Sequence, residues 1–479
     1  MELHVKNAVL YGAFALLLGW LLHMIYRWRN PPCNGRLPPG SMGLPIIGET
    51  FQILKRSYSL DIPDFYKLRM KRYGLLFKTS FLGQPVVFCM DPEVNSYIFR
   101  QEDKQFRSWY PESLNRIVGK KTFALAYGSI HKYARGMAAP LYAPKHLKEE
   151  LMIEMDSIIK ESLRTWASEP SIEVKEAVNN MMFDMIIKKL IGFEPTNRRT
   201  MELRKNIMLF FKGLISFPLY VPGTKFYQSM KARKNVQKVL KDLLKQRART
   251  PEKKYGDFLD KVVEELHSGR QLMNENFLVD FVAGLIFASI ALTPTVVAVG
   301  MKLLTDNPNV VEALTEEHEK ILQKRDDVNS RITWEEYKSM KFTSQVVNEI
   351  ARLSSHSLGI FRKALKDVEV NGYTIPAGWL IMISPMSLHL NPEYFEDPLT
   401  FNPWRWKEAH ESSLMKNFIP FGNGKRQCMG AELTKLEIAL FLHVLVTKYR
   451  WKEIKGGDLF RVSELIYPQD YHIQLSPRV

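Results

Sequence analysis

The reading of the fold turns on Phe421-Gly422-Asn423-Gly424-Lys425-Arg426-Gln427-Cys428-Met429-Gly430. Cys428 sits in a glycine-rich loop two residues after Arg426, and a helix-forming run over 431–446 starts just behind it. A lone cysteine is usually a small buried hydrophobe. Here the surroundings point elsewhere. Backbone N–H groups at a helix start supply the positive potential that a thiolate needs, and so does a metal. Glycines let the backbone pass close to a flat macrocycle with no Cβ in the way. Cys428 therefore reads as the axial sulfur ligand of a haem iron. Zinc competes poorly. The chain has three cysteines, Cys33, Cys89 and Cys428, and no C-x-x-C pair, so a closed thiolate site cannot be assembled. Three scattered cysteines also argue against a disulfide framework and for a reducing compartment.

The pattern F-x-x-G-x-R-x-C-x-G resembles the haem-binding signature of the cytochrome P450 haem-thiolate monooxygenases. The resemblance implies a mainly α fold with a small β region, the cytochrome P450 fold, in one catalytic domain. It implies haem b as the cofactor, contacted by Phe421, Gly422, Arg426 and Gly430 around the Cys428 ligand.

Outward from the loop, the 479 residues are 46% hydrophobic, and Lys+Arg 67 against Asp+Glu 51 leaves a formal charge of +16. The excess is spread along the chain and no nucleic-acid module is legible. It suits anionic lipid or an acidic protein partner, and no nucleic acid is expected. Residues 8–26, AVLYGAFALLLGWLLHMIY, carry no formal charge apart from a partial one on His23. A helix of that length rises roughly 28 Å, about one hydrocarbon core. The run ends in bulky and basic residues, unlike a cleaved signal peptide. Arg27 and Arg29 follow it, whereas Lys6 is offset by Glu2, a bias that keeps the C-terminal side cytosolic. Pro31, Pro32, Pro38, Pro39 and Pro45 follow, and proline denies helix. The expected organisation is a membrane anchor over 1–30, a proline-rich hinge over 31–45 and a haem-thiolate catalytic domain over 46–479. The stretch LPPGSMGLPIIGE also resembles the family's proline-rich hinge.

Within the body, 75–90 reads as two β-rich runs joined at Gly83-Gln84, and 368–384 as a second β patch turning at Asn371-Gly372. Helices are expected over 144–168, 171–192, 231–248, 256–268, 274–304, 307–324, 334–354 and 431–448. The stretch 207–227 is apolar despite two prolines. It is either a buried corner or a substrate lid that dips into the membrane.

Glu349 and Arg352, three apart, share a helical face. Arg405, in Phe401-Asn402-Pro403-Trp404-Arg405-Trp406, can grip a carboxylate with its fork. E-x-x-R followed by F-x-P-x-R-W matches the family's structural triad, whose implied role is to pin the cysteine loop. Haem propionates need cations. The resemblance implies His131, Lys132 and Arg135 of the HKYAR element, Arg426, and Arg362 beyond the E-x-x-R helix.

The family's oxygen-side helix usually carries an acid and an alcohol that pass protons. This chain reads Ala288-Ser289-Ile290-Ala291-Leu292-Thr293-Pro294-Thr295. Ser289 stands where glycine is expected, Ala291 replaces the acid and Leu292 the alcohol. Pro294 has no N–H, so the Ile290 carbonyl loses its helical donor and can hold a water that Thr293 orients. Alternatively a hydroxyl on the substrate donates the proton, or the proline only kinks the helix and the alanine only makes room. The pocket walls expected from the family's layout, 106–114, 209–217, 284–292, 354–361 and 465–467, are mostly apolar, which suits a sterol or triterpenoid.

Phrases such as LPPGSMGLPIIGETFQ and ITWEEYKSM resemble the plant microsomal branch that oxidises sterols and triterpenoids. The implied activity inserts one oxygen of O2 into a C–H bond. Electrons come from NADPH through a separate FAD/FMN protein, NADPH–cytochrome P450 reductase, with cytochrome b5 as a candidate second donor. The implied location is the endoplasmic reticulum membrane, single-pass, with the catalytic body in the cytosol. Two alternatives remain open on the sequence: an isomerase or lyase that uses no O2, and a non-catalytic haem or sterol-binding protein.

Overall fold

A computed structural model describes residues 2–119, 126–143, 151–214, 216–250, 252–268, 274–327, 330–354, 359–407 and 414–478. Helix α1 (Glu2–Arg29) meets the body at its C-terminal end, where Trp28 packs against the apolar cluster of the sheet. Its Leu10–Arg29 segment is long and apolar enough to cross a membrane, and none of its most apolar window is buried in the body. The prolines that follow do not form a free spacer. They lie against the body: Lys78 N–H donates to the Pro39 carbonyl at 2.8 Å and Thr374 N–H to the Arg36 carbonyl at 2.7 Å.

A five-stranded sheet holds β1 (Leu76–Phe81), β2 (Gln84–Cys89), β3 (Phe106–Ser108), β4 (Ile360–Ala364) and β5 (Leu380–Ile383) in the order β1-β2-β5-β4-β3. Only β2 and β5 run parallel. The β1–β2 turn falls on Leu82 (φ 52°) and Gly83 (φ 74°), one residue earlier than the sequence reading. Asn371 (φ 47°) and Gly372 (φ 73°) make the second turn as expected, between Val368–Val370 and Tyr373–Ile375. Two positive φ values in succession are what a tight hairpin needs.

The helical mass includes α2 (Gly128–Ala138), α3 (Val174–Ile191), α4 (Lys225–Ala248), α5 (Glu275–Ile290), α6 (Thr293–Thr305), α7 (Pro308–Leu322), α8 (Lys341–Leu353) and α9 (Ala431–Lys448). Side chains of α3, α5, α6 and α9 share one continuous apolar core. The expected 274–304 helix is in fact two. It breaks at Ala291-Leu292, and the second half restarts with Pro294 in its first turn, where no intrahelical donor is required. The expected 334–354 helix is also two, Trp334–Ser339 and α8, divided at Met340. Of the expected 144–168 helix, Met152–Ser168 is present and 144–150 lie outside the described residues. Four C-terminal strands between Tyr449 and Pro477 were not anticipated.

The 207–227 stretch is helical to Phe211 and again from Lys225 in α4, with Ile207, Phe210 and Phe226 buried at its two ends. Phe217, Leu219, Tyr220 and Val221 are all exposed, Phe217 by 82%. The ends of the stretch thus form a buried corner, while its connection at 217–221 is exposed.

Candidate active site

Glu349, Arg352 and Arg405 meet in one cluster, with Glu349 and Arg352 at zero exposure and Arg405 part-buried at its edge. Arg352 grips Glu349 with Nε at 2.9 Å and Nη2 at 2.7 Å, and Arg405 Nε reaches Glu349 Oε1 at 3.1 Å. Trp406 Nε1 donates to Oε2 at 2.9 Å and Asn402 N–H to Oε1 at 3.1 Å. A buried carboxylate tolerates desolvation only when it is surrounded in this way. The cluster connects to the cysteine loop through His389. Arg352 Nη1 donates to the His389 carbonyl at 2.7 Å, and the ring Nε2 of His389 accepts the Ile419 N–H at 3.0 Å, two residues before Phe421.

The loop is then closed by its own backbone. Cys428 N–H donates to the Phe421 carbonyl at 2.9 Å, and Gln427 N–H to the Gly424 carbonyl at 3.0 Å. Gly424 needs its glycine twice over. Its φ is 71°, and a Cβ would sit 3.0 Å from the Phe99 carbonyl oxygen.

Cys428 faces a cavity of about 260 Å³ whose walls come from two directions. Leu433, Thr434 and Glu437 come from α9 beside the loop residues 426–430, and Leu285, Ala288, Ser289 and Thr293 come from α5 and α6. His131, Arg135 and Arg426 line the same space. Surrounding protein pushes the Cys428 thiol up, while the Gly430 N–H and the Arg135 charge pull it down. His131 is held down to about 4, by burial first and then by the charges of Arg426 and Arg135. Burial is the larger cause, and Asp103 and Glu102 partly offset the two arginines. Arg135 Nη1 is fixed on the Gln427 carbonyl at 2.9 Å, and Arg426 Nη2 on the Ala126 carbonyl at 2.6 Å.

A slot with one thiol on its floor, small residues opposite and cations at its margin fits a flat dianionic macrocycle containing a metal. His131, Arg135, Arg426 and Gly430 stand where such a group could be held. The other expected contacts differ. Lys132, one step round the helix from His131, points to solvent and is not part of the cavity wall. Phe421 and Gly422 shape the loop without lining the cavity. Arg362 lies in a further layer, with Nε 2.5 Å from Glu102. Ser289 and Thr293 face the cavity; Ala291 and Pro294 do not line it.

Sequence reading missed Tyr142, Glu437 and Glu102, whereas Tyr110, within the expected wall 106–114, lines the cavity. Tyr142 and Glu437 line the cavity, and the Tyr142 hydroxyl bonds to Ser289 and is pushed up to about 12, chiefly by burial. A carboxyl inside the apolar run LEIALFLHVLV was the one available signal, for Glu437. A second cavity, of about 520 Å³, opens beside Ile46, Ile47, Phe81, Trp109, Leu214 and Phe217. The expected walls at 106–114 and 209–217 contribute to it, and residues 355–358 lie outside the described residues.

The family model for cytochrome P450 matches residues 38–468. The chain is 49% identical to cytochrome P450 87A3 of Oryza sativa subsp. japonica, over 95% of this chain and 89% of that one. It is 41% identical to the beta-amyrin 16-alpha-hydroxylase of Maesa lanceolata (95% and 96% covered) and 38% identical to the cucurbitadienol 11-hydroxylase of Siraitia grosvenorii (98% and 99%). Among solved structures, the retinoic acid-bound cyanobacterial CYP120A1 superposes with a TM-score of 0.83 at 26% identity, covering 93% of this chain and all of that one. Named hydroxylases among the relatives favour oxygen insertion over the isomerase and sensor alternatives. The chain belongs to the cytochrome P450 family and is a haem b-dependent monooxygenase.

Proposed function

We propose that this protein hydroxylates a sterol or triterpenoid while tethered by α1 to the endoplasmic reticulum, with residues 31–45 as the connecting hinge and the body over 46–479 in the cytosol. Named relatives act on beta-amyrin and cucurbitadienol, and the second cavity is mostly apolar in its lining residues, as a substrate of that kind requires. Exposed Phe217, Leu219 and Tyr220 would let the entrance side dip into lipid.

One observation carries the assignment: Cys428 Sγ and the small residues Ala288 and Ser289 border the same cavity, with Arg135, Arg426 and His131 at its margin. In this reading Cys428 is the iron ligand, the two arginines and His131 bind propionates, and the Glu349 cluster holds the loop in register. Haem b, when bound, supplies the O2 chemistry that oxidises a C–H bond. The chain itself excludes bulk water, orients the substrate and manages protons. With Ala291 and Leu292 in place of an acid and an alcohol, the proton path runs through a water held by the Ile290 carbonyl, which Pro294 cannot bond, and by Thr293 Oγ1. Electrons come from NADPH–cytochrome P450 reductase, with cytochrome b5 as a second donor, docking on the basic face around the loop.

The test is incubation of membranes containing the full chain and a reductase with sterol and triterpenoid panels, followed by mass-spectrometric product detection. The expected result is a product heavier by one oxygen that needs both NADPH and reductase. Product formed without either would overturn the reading.

A further inference from the structure

The exposed tip at 217–221 sits inside a run of one-sided charge. Between residues 203 and 241 there are nine lysines and arginines and no aspartate or glutamate. Arg204 is paired with Asp184 and Arg233 with Asp280. The other seven, all lysines, make no ion pair among the described residues. Lys212 and Lys225, both exposed, bracket the tip. Lys231, Lys234, Lys238 and Lys241 then recur every three or four residues along α4, which puts them on one face. The opposite face packs on the body through Phe226, Ala232, Val236 and Leu240.

The acids on the elements packed against α4 are engaged elsewhere or lie away from the tip. Glu112 pairs with Arg116 at 2.8 Å, and Asp257, Asp260 and Glu264 serve Arg247 and Lys254 at the far end of α4 and beyond. Asp242 closes the run there. Asn235 Nδ2 donates to Asn206 at 2.9 Å, one turn nearer the tip than Glu202. Phe287 stacks on Phe211 with ring centres 5.0 Å apart, twelve residues along α5 from Glu275. The tip also lies on the side of the tether. Ile46 and Ile47, which follow α1 and its prolines, are exposed and line one cavity with Leu214 and Phe217.

We infer that the lysine face that starts at the 217–221 tip binds the anionic phospholipid headgroups of the membrane that holds α1. This rests on the membrane tether proposed above. An apolar tip bracketed by lysines suits a lipid surface, because the apolar side chains enter the acyl boundary while the ammonium groups stay with the phosphates. An acidic protein would match the charge, but the shared side with α1 and the adjoining apolar tip favour lipid. Surface attraction fades within about 8 Å at physiological salt, and α4 climbs about 1.5 Å per residue. The lysines nearest the tip, Lys212, Lys225, Lys231 and Lys234, therefore carry the contact.

The experiment uses the full chain in bilayers of phosphatidylcholine alone and of phosphatidylcholine with one part in five phosphatidylserine. Lysine reactivity is read by reductive methylation and mass spectrometry. Exposed Lys407 and Lys416, on the segment leading to the cysteine loop, are the reference. The expected result is that the four lysines react about fivefold more slowly on the anionic bilayer, which is about 1 kcal/mol for each lysine at a charged surface. The reference pair should not change, and the protection should vanish in about 1 M salt, where the screening length falls to about 3 Å. No slowing, equal slowing at Lys407 and Lys416, or equal protection on both bilayers would overturn the inference. So would lysines that stay reactive on the anionic bilayer and become protected only when the reductase is added, since the face would then belong to an acidic protein. A full chain that floats with neither bilayer would instead sink the tether itself, and this inference with it.

Discussion

Glu349 and Arg352 form a two-pronged ion pair with both side chains at zero exposure, three residues apart on α8. Neither charge can be solvated alone at that depth. Deleting one partner costs roughly 3–5 kcal/mol, because it strands the other. Glu349→Ala should therefore lower the thermal midpoint sharply and deplete haem-loaded protein, with haem loss preceding global unfolding because the cluster supports the loop through His389. A variant whose haem content and midpoint match wild type would show that the cysteine loop stands without this support.

Glu437 has a signature in pH. Burial pushes its carboxyl from 4.5 up to about 8. Its folded form is neutral where the unfolded chain is already ionised, so its contribution to stability is complete below 4.5 and is lost as pH rises through 8. Each unit of displacement is worth about 1.4 kcal/mol. Relative to wild type, Glu437→Gln should thus gain stability progressively between pH 5 and 8, measured as the difference in denaturant midpoints. A difference that does not vary with pH would mean that Glu437 is ionised in the fold.

The break between Ile290 and Thr293 predicts how the oxygen side responds to substitution. Thr293→Ala removes the hydroxyl that faces the cavity and should raise peroxide release per NADPH by about tenfold, below the roughly hundredfold low end for a positioned proton-transfer group. Ala291→Asp should change coupling in the opposite sense. If peroxide release does not move in either variant, neither position takes part in proton delivery.

Membrane contact should survive removal of the first helix. The exposed cluster at Phe217, Leu219, Tyr220 and Val221 remains, and burying one large apolar side chain is worth about 1.5–3 kcal/mol. A chain lacking residues 1–30 should still sediment with vesicles, and Phe217→Ser/Leu219→Ser should weaken that partition more than about tenfold. Complete solubility of the truncated chain would leave α1 as its sole membrane contact.

Much of this was legible in the sequence because the signals are local. The cysteine loop is a run of ten residues, Glu349 and Arg352 sit one helical turn apart, and Asn371-Gly372 declares its own turn. What was not legible depends on partners far away in the chain. Glu102 meets Arg362 and Arg426 across more than 250 residues, and no spacing rule reaches that far. Lys132 belongs to a recognisable element, yet helical geometry turns it out to solvent. Periodicity carried the reading of 274–304 through Pro294, where a proline in a first turn starts a new helix as readily as it bends an old one. The C-terminal strands were missed because their pairing partners, among them Ile172–Glu173 and Arg56–Ser57, lie hundreds of residues away.

The central claim is that the Cys428 sulfur binds the haem iron, and the carbon monoxide spectrum of the reduced, full-length protein tests it most directly. The account predicts the red-shifted Soret band of thiolate-ligated haem in wild type, and its disappearance in Cys428→Ser with the far-ultraviolet circular dichroism unchanged. A well-folded wild-type protein without that band, or a serine variant that keeps it, would contradict the account.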